Sequence, residues 1–403
     1  MAECAEPVAP PVALAHDIIR LGQVFTPPDI VTRMLALRRN AGRVLEPACG
    51  DGAFLARLPG AVGIEVDGRH APAGATVMDF FAYPVSEQFH TIIGNPPYVR
   101  FQDIPAPTRA RLSLDHFDGR SNLYLFFIEK CLRHLAPGGE LIFITPRDFL
   151  KATSAVGMNR LLHAAGSITD FIDLGDARVF PGATPNCVIW RFEKGDFSRR
   201  TRYEAGGQVE ERHFQCSGGH LAFTREPCPV RLREVFYVKV GAVSGADDLY
   251  ASAEHGNQDF VCARTARTGQ TRRMIYDVRH PLLEPHRERL IQRRIRRFDE
   301  SNWWKWGRSC HLSDGPRIYV NGKTRVDRPF FLHPCRYYDG AVLALFPHDP
   351  TVDVQVLCDM LNAVDWEAQG FVCDGRFLFA QRALEQALLP QAFAPFARRP
   401  GAA

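Results

Sequence analysis

The stretch Thr91-Ile-Ile-Gly-Asn-Pro-Pro-Tyr-Val99 sets the organisation of this chain. A short strand-forming run ends at a glycine and is followed by a carboxamide, two prolines and an aromatic ring. Because Pro96 and Pro97 fix φ and lack an N–H donor, the segment is stiff and cannot continue a sheet. A planar group with an exocyclic amine fits such a corner, since Asn95 and a backbone carbonyl can accept its two N–H bonds while Tyr98 stacks on its face. An ordinary strand-end turn is the alternative.

Short apolar runs alternate with segments of helical periodicity on both sides of this stretch. The runs at 43–45, 61–65, 75–78 and 141–145 are nearly unbroken, as in strands that are buried on both faces. The pattern predicts an α/β fold with a doubly wound, mostly parallel, Rossmann-like sheet. Sheets of this kind bind ligands at the carboxyl ends of their strands, and the polar motifs of this chain follow those ends.

Length and charge predict two domains with different partners. A chain of 403 residues exceeds a typical single core, and its net charge of +4 is unevenly spread. The net charge is −1 for residues 1–195 and +5 for residues 196–403, so the C-terminal half is the better candidate for contact with a polyanion. We expect a loosely ordered Ala/Pro-rich segment at 1–20, a ligand-binding catalytic domain at 21–198 and a mixed α+β domain at 199–403.

Cysteine usage and hydropathy indicate a cytoplasmic protein. The 11 cysteines include no CxxC pair, which fits reduced thiols better than a disulfide framework. Cys310-His311 and His333-x-Cys335 lack zinc-finger spacing, so we expect no metal. The N-terminus has neither the basic nor the apolar region of a secretory signal, and no apolar run reaches the roughly 18 residues that a membrane span needs.

The segment Glu46-Pro-Ala-Cys-Gly-Asp-Gly52 links a predicted strand to a predicted helix. Gly50 and Gly52 allow a ligand to approach the backbone closely and allow positive φ. The spacing is not that of either phosphate-binding glycine loop, and the segment has no lysine. Because the Glu46 carboxylate would repel a phosphate and attract an ammonium, the loop suits the amino-acid part of a ligand.

Two further carboxylates follow the next two predicted strands. Glu65 is placed to accept hydrogen bonds from two ribose hydroxyls, and Asp79 to accept one from an adenine amine, with Phe80 as an apolar wall for the ring. Each carboxylate alone is better explained as a surface group. Together with Glu46, the three strand-end carboxylates predict S-adenosylmethionine as the cofactor.

In their order along the chain, these motifs resemble the gamma class of N6-adenine DNA methyltransferases, the TaqI-like modification enzymes of restriction–modification systems. The matching segments are Gly-Gln-Val-Phe-Thr-Pro-Pro (22–28), Val-Leu-Glu-Pro-Ala-Cys-Gly-Asp-Gly (44–52), Gly-Ile-Glu-Val-Asp (63–67), Asp-Phe-Phe (79–81), Ile-Ile-Gly-Asn-Pro-Pro-Tyr (92–98), Asn-Leu-Tyr (122–124), Pro-Gly-Gly (137–139) and Val-Phe-Pro (179–181). The short interval between the cofactor motif and Asn-Pro-Pro-Tyr leaves no room for a recognition domain. The resemblance therefore places a target-recognition domain after the catalytic one.

The resemblance also implies a role for each matched residue. Phe25 and Thr26 would close over the methionine part of the cofactor, and Glu46, Ala48 and Gly50 would hold that part. Glu65 would bind the ribose, Asp79 and Phe80 would bind the adenine, and Asn95 and Pro97 would border the cofactor. On the substrate side, Asn95 and the Pro96 carbonyl would accept hydrogen bonds from the target amine, and Tyr98 and Phe180 would stack on the target base. The implied reaction is methyl transfer to the exocyclic amine of an adenine that has been flipped out of the duplex.

Two other kinds of function remain open. An Asn-Pro-Pro-Tyr corner also occurs in amine methyltransferases that act on ribosomal RNA or on a protein glutamine. A DNA-binding subunit that has lost catalysis is the other alternative. The basic second half and the Phe-Thr-Pro-Pro segment favour a DNA methyltransferase.

The second half contains the candidate DNA contacts. Arginine serves both phosphates and base edges, and basic residues are dense between 287 and 328, close to three tryptophans at 303–306. Asn321-Gly322 is typical of a hairpin turn. We expect a monomer that binds double-stranded DNA, with any cognate restriction endonuclease on a separate chain. The predicted DNA-binding residues are Arg293, Arg294, Arg296, Arg297, Lys323 and Arg325.

Overall fold

The computed structural model describes residues 21–22, 24–117, 119–175, 179–180, 186–373 and 375–398. The segment expected at 1–20 lies outside these residues. The chain divides into two compact units, the first ending at Arg225 and the second beginning at Glu226. The first unit extends past the boundary that we expected between 198 and 199, because three more strands continue its sheet.

One large sheet forms the centre of the first unit. Its strands are β1 (Val44–Glu46), β2 (Val62–Glu65), β3 (Thr76–Val77), β4 (Phe89–Gly94), β5 (Leu135–Pro146), β6 (Gly166–Asp173), β7 (Cys187–Lys194), β8 (Arg200–Ala205), β9 (Gln208–Ser217) and β10 (His220–Thr224). Their order across the sheet is β10-β9-β8-β6-β7-β5-β4-β1-β2-β3. The five strands from β3 to β5 are parallel, as the sequence predicted. Strand β7 runs antiparallel to both β5 and β6.

The helices of the first unit begin at recognisable signals. They are α1 (Pro28–Ala36), α2 (Ala106–Arg109), α3 (Leu123–His134) and α4 (Val156–Ala165), with 3-10 turns at Leu55–Arg57, Phe80–Ala82, Phe101–Asp103, Arg147–Leu150 and Thr153–Ala155. A proline opens α1, and its N-cap, Pro27, makes no side-chain capping bond. Asn122 does cap α3, accepting a hydrogen bond from the Tyr124 amide.

Both faces of the parallel sheet are buried. Ile92 packs into the cluster that includes α3, and Ile93 into the cluster that includes Ile30 and Met34 of α1. Successive strand residues point to opposite faces, so a strand covered on both sides needs an unbroken apolar run. The segment before Asn95 is therefore an unbroken apolar run. Packing on both faces holds the end of β4 rigidly.

The second unit is built from small antiparallel sheets. Its strands are β11 (Val230–Arg231), β12 (Phe236–Val240), β13 (Gln258–Phe260), β14 (Arg272–Met274), β15 (Ile318–Asn321), β16 (Lys323–Thr324), β17 (Phe330–Phe331), β18 (Val342–Pro347), β19 (Val372–Cys373), β20 (Arg376–Leu378) and β21 (Leu388–Leu389). The largest sheet has the order β12-β18-β15-β17. The expected hairpin at Asn321-Gly322 is wrong, because β15 pairs with β17 and β18 while β16 pairs with β20.

Short helices accompany these sheets, in keeping with the predicted α+β character of this unit. They are α5 (Leu232–Val235), α6 (Asp247–Tyr250), α7 (Thr265–Thr268), α8 (Arg287–Ile291), α9 (Val354–Asn362) and α10 (Gln381–Glu385), with 3-10 turns at Pro281–His286 and Gln391–Phe396. Trp303 and Trp306 are buried in its core. None of the helices among the described residues is both long and apolar enough to span a membrane.

Candidate functional site

A cavity of about 490 Å³ lies at the carboxyl ends of β1, β2 and β4 in the first unit. Its walls are mostly apolar, with a few carboxylate and amide groups among them. The sequence-predicted residues that line it are Phe25, Ala48, Gly50, Glu65, Asp79, Phe80, Asn95 and Pro97. The structure therefore brings eight predicted site residues around one space.

The last residue of β1, Glu46, supplies a buried carboxylate that does not itself border the cavity. Glu46 is 2% exposed, and its Oε2 has no hydrogen-bond partner among the described residues. Burial raises its pKa well above the ordinary value, although a hydrogen bond from the Leu55 backbone opposes the shift. Gly50 has a left-handed φ of 52°, and a Cβ there would lie 3.4 Å from the Phe25 ring. Phe25 thus lies over the glycine, and its role toward a ligand remains a prediction.

The carboxylates after β2 and β3 are held by backbone N–H groups. Glu65 accepts from the Gly50 amide at 2.8 Å and from the Asp67 amide at 2.9 Å. Asp79 accepts from the Phe81 amide at 2.9 Å. Each carboxylate is fixed in orientation and keeps further acceptor capacity, because an ionised carboxylate offers about four lone-pair sites. Both are therefore preorganised to bind donors such as hydroxyls and amines.

Asn95 follows β4 and is oriented by the segment that precedes α1. Its Nδ2 donates to the Val24 carbonyl oxygen at 3.0 Å, and because a carbonyl only accepts, this bond fixes which end of the carboxamide points where. The Oδ1 is buried and has no partner among the described residues. A buried acceptor left without a partner costs on the order of 1–3 kcal/mol. Asn95 thus presents an acceptor for an N–H donor.

Pro96 is buried, and the described residues contain no cis peptide bond. The Tyr98 hydroxyl donates to the Ile144 carbonyl at 2.8 Å. Its ring meets the ring of Tyr124 edge to face, with centroids 5.8 Å apart. Burial raises the pKa of Tyr98 above its ordinary value, so the phenol stays neutral. Neither Pro96 nor Tyr98 borders the cavity, and their roles toward a target base remain predictions.

The structure does not present Phe180 for stacking. Its side chain is 2% exposed and packs with Ile30, Met34, Ile93 and Ile144 in the core beneath α1. A ring enclosed in this way has no free face, so the expectation that Phe180 sandwiches the target base is wrong for this conformation. Its neighbours at 176–178 and 181–185 lie outside the described residues.

Thr26 is buried and is absent from the cavity wall. The sequence interpretation missed the segment from 105 to 111, which forms one side of the cavity. Pro105, Pro107, Thr108 and Arg111 line it there. No motif marks this segment. The only local signal is the pair of prolines at the start of a short helix.

Arg293 is a structural residue of the second unit, so its predicted contact with DNA is wrong. It is 8% exposed and donates to the carbonyl oxygens of Leu290 at 2.8 Å and Trp303 at 2.6 Å. It also donates to the carbonyls of Ser244 and Lys305. The five donors of a guanidinium suit such a site, since each buried carbonyl needs a partner. The other predicted contacts are exposed, namely Arg294, Arg296, Arg297, Lys323 and Arg325.

No group of three or more His, Cys, Asp or Glu side chains within the described part of the chain is arranged to hold a metal ion.

Residues 73–180 match the Eco57I restriction-modification methylase family. This part of the chain is thus similar to a methylase domain of that family. The matched range includes the Asn95 corner, Asp79 and the cavity segment from 105 to 111. S-adenosylmethionine is the expected cofactor of the methylase domain. The Glu46 carboxylate oxygen that has no partner among the described residues fits that assignment, because the cofactor offers an ammonium group.

Part of the chain is similar to curated type II methyltransferases. M.TthHB8I of Thermus thermophilus is 36% identical over 212 residues, which are 47% of this chain and 48% of the relative. M.HincII of Haemophilus influenzae is 32% identical over 191 residues, which are 44% of this chain and 38% of the relative. The chain thus matches about half or less of the length of these relatives.

A solved structure shares the fold over most of the chain. The type IIL restriction-modification enzyme MmeI, determined in complex with DNA, has a TM-score of 0.56 and covers 93% of this chain and 65% of its own. The two sequences are 13% identical, so the likeness concerns the fold alone.

Proposed function

We propose that this protein is a site-specific DNA adenine N6-methyltransferase and the modification enzyme of a restriction–modification system. The observation that carries the proposal is the Asn95 carboxamide, whose Nδ2 is tied to Val24 while its buried Oδ1 has no partner among the described residues. Similarity to type II methyltransferases supports the proposal from an independent direction.

The chain's own residues would bind the cofactor at its two ends. The Glu46 carboxylate would accept from the ammonium, and the fixed Glu65 carboxylate from the ribose hydroxyls. Asp79 would accept from the adenine amine beside Phe80, and Phe25 would cover the methionine part. The bound cofactor supplies an electrophilic methyl group on a sulfonium. Because the cavity is mostly apolar, it would exclude water from that group.

Asn95 would prepare the target amine for transfer. The lone pair of an exocyclic adenine amine is delocalised into the ring, which makes the nitrogen a poor nucleophile. Acceptors on its two hydrogens, the Asn95 Oδ1 and the Pro96 carbonyl, would localise that lone pair toward the methyl group. No strong base is required if the proton leaves after transfer, so positioning supplies most of the rate enhancement.

DNA is the substrate favoured over RNA or a protein glutamine. A base inside a duplex must be flipped at a cost of a few kcal/mol, and stacking returns about 1–3 kcal/mol per base. Tyr98 would provide one stacking surface. The second unit provides the exposed basic residues that would bind the phosphate backbone, with Arg294, Arg296 and Arg297 in one loop.

Methyl transfer from labelled S-adenosylmethionine to plasmid DNA, ribosomal RNA and a release-factor protein tests the proposal. We expect label in DNA alone, as N6-methyladenine in a nucleoside digest, and one short sequence motif in long-read mapping. Asn95→Ala should lower turnover about 100- to 1,000-fold, the effect of losing one preorganised polar group, with cofactor affinity nearly unchanged. Label in RNA or protein instead of DNA, or in N4-methylcytosine, would overturn it.

A further inference from the structure

The wall of the cavity at residues 105–111 belongs to none of the motifs described above. Helix α2 lies within this segment and opens after Pro105, with Pro107 in its first turn. Four side chains of the segment line the cavity, and two of them, Thr108 and Arg111, are polar. Both of these polar side chains lie close to the same carboxylate.

That carboxylate is Asp79. Its Oδ1 accepts from the Phe81 amide at 2.9 Å, and its Oδ2 accepts from the Thr108 hydroxyl at 2.9 Å. The Arg111 Nη1 lies 4.0 Å from the same Oδ2, and also donates to the Pro107 carbonyl at 2.7 Å. Both oxygens are thus fixed by one donor each, and each retains a lone pair.

We propose that Thr108 is a positioning residue for the adenosine part of the cofactor. The inference rests on the cofactor named in the proposed function. The Thr108 hydroxyl holds the Asp79 carboxylate in one rotamer, with its free lone pair directed at the adenine amine. The same bond holds the 105–111 segment against the cavity, so that Pro105 and Pro107 enclose the adenine ring. Arg111 lies at the exposed rim, where an ion pair contributes little.

Calorimetric titration without DNA separates this role from methyl transfer. The ligands are S-adenosylmethionine, S-adenosylhomocysteine and 5′-methylthioadenosine, which lacks the amino-acid part. Thr108→Val keeps the size and removes the donor, and we expect about tenfold weaker binding of all three ligands. Thr108→Ser should restore binding to within about twofold. Arg109→Ala is the matched control, because Arg109 lies on α2 but not on the cavity wall.

A double-mutant cycle decides whether Thr108 acts through Asp79. In an Asp79→Asn background, Thr108→Val should cost less than about twofold, since the carboxylate that it positions is gone. An equal loss in both backgrounds would show that Thr108 only packs the wall, and would overturn the proposal. Unchanged binding by Thr108→Val would overturn it as well. Thermal unfolding checks that each variant is folded, and Thr108→Ala replaces the valine variant if that one is not.

The proposed function fails in a different way. If wild-type protein binds the three adenosine ligands but methylates no DNA, the assigned reaction is wrong and the titrations still decide the role of Thr108. If it binds none of them, both the cofactor and the positioning role are wrong.

Discussion

Replacing Glu46 with glutamine is expected to stabilise the free protein and to weaken its binding of S-adenosylmethionine. Glu46 is buried, one carboxylate oxygen has no partner among the described residues, and burial raises the pKa well above its ordinary value of 4.5. The folded protein then binds more protons than the unfolded chain. The contribution of this group to stability is therefore full below pH 4.5 and is lost as the pH rises through the folded pKa.

The size of both effects follows from the burial of one charge. A shift of one pKa unit corresponds to about 1.4 kcal/mol, and an unpartnered buried polar atom costs about 1–3 kcal/mol. Glutamine removes the charge but leaves its own amide to be satisfied, so we expect a net gain of about 1 kcal/mol near pH 8 and none near pH 4. Losing a charge-assisted bond of about 1.5–3 kcal/mol should raise the Kd for the cofactor about 10- to 100-fold.

Unfolding at several pH values between 4 and 8, together with calorimetric titration of the cofactor, measures both effects on the same samples. Glu211→Gln is the control, since Glu211 is exposed and its ion pair with Arg200 lies on the surface. The control should change neither quantity. The reasoning is refuted if Glu46→Gln lowers stability at every pH, or if this variant binds the cofactor as tightly as the wild type.

Three further predictions concern other parts of the chain. Tyr98→Ala should weaken DNA binding about tenfold, measured by 2-aminopurine fluorescence on a duplex that has an abasic or mismatched position opposite the target base. Tyr98→Phe keeps the ring and should have only a small effect on this affinity. Equal losses of affinity in both variants would contradict a stacking role. Arg293→Ala should destabilise the second unit by several kcal/mol, whereas Arg296→Ala and Arg297→Ala should leave its unfolding unchanged. Each of the latter two should lower by about one the slope of the logarithm of the DNA-binding constant against the logarithm of salt concentration. An unaltered slope would exclude phosphate contacts by these two arginines. Burial near Lys151 and Arg160 lowers the pKa of His220 to about 4, so the stability of the folded protein should fall as the pH drops from 6.5 toward 4. The His220→Gln variant should lose less stability over this pH range. Equal losses in the variant and the wild type would show that His220 is not buried in its neutral form.

Eight of the residues that the sequence singled out line one cavity, and they could be found because their sequence signals are local. An apolar run followed by a polar residue marks the end of a buried strand, and parallel strands bring such ends to one edge of the sheet. Glu65, Asp79 and Asn95 were placed by this rule alone. The glycines of the loop at 46–52 were also predictable, because a positive φ is a property of one residue.

The residues that the sequence misjudged depend on long-range packing. The family resemblance alone gave Phe180 a stacking role, yet a hydrophobic cluster contributed by distant segments encloses it. Arg293 belongs to a run of arginines that are alike in sequence, and its bonds to the carbonyls of residues 244, 290, 303 and 305 distinguish it from its exposed neighbours. Thr108 matters through a carboxylate almost thirty residues away. No short motif records such contacts.

The two buried acceptors that have no partner among the described residues, on Glu46 and Asn95, are best understood together. Glu46 ends β1 and Asn95 follows β4, and these strands are direct neighbours, with Leu45 opposite Ile92. In the proposed reaction, one acceptor would bind the ammonium of the methyl donor and the other the amine that receives the methyl group. A group transfer needs donor and recipient side by side, and two adjacent parallel strands provide this because their ends share one edge of the sheet. The buried cores on both faces of the sheet offset what the two acceptors cost, since each enclosed large apolar side chain contributes about 1.5–3 kcal/mol. The packed sheet that offsets the cost of these two acceptors also holds them in fixed positions toward the proposed ligands.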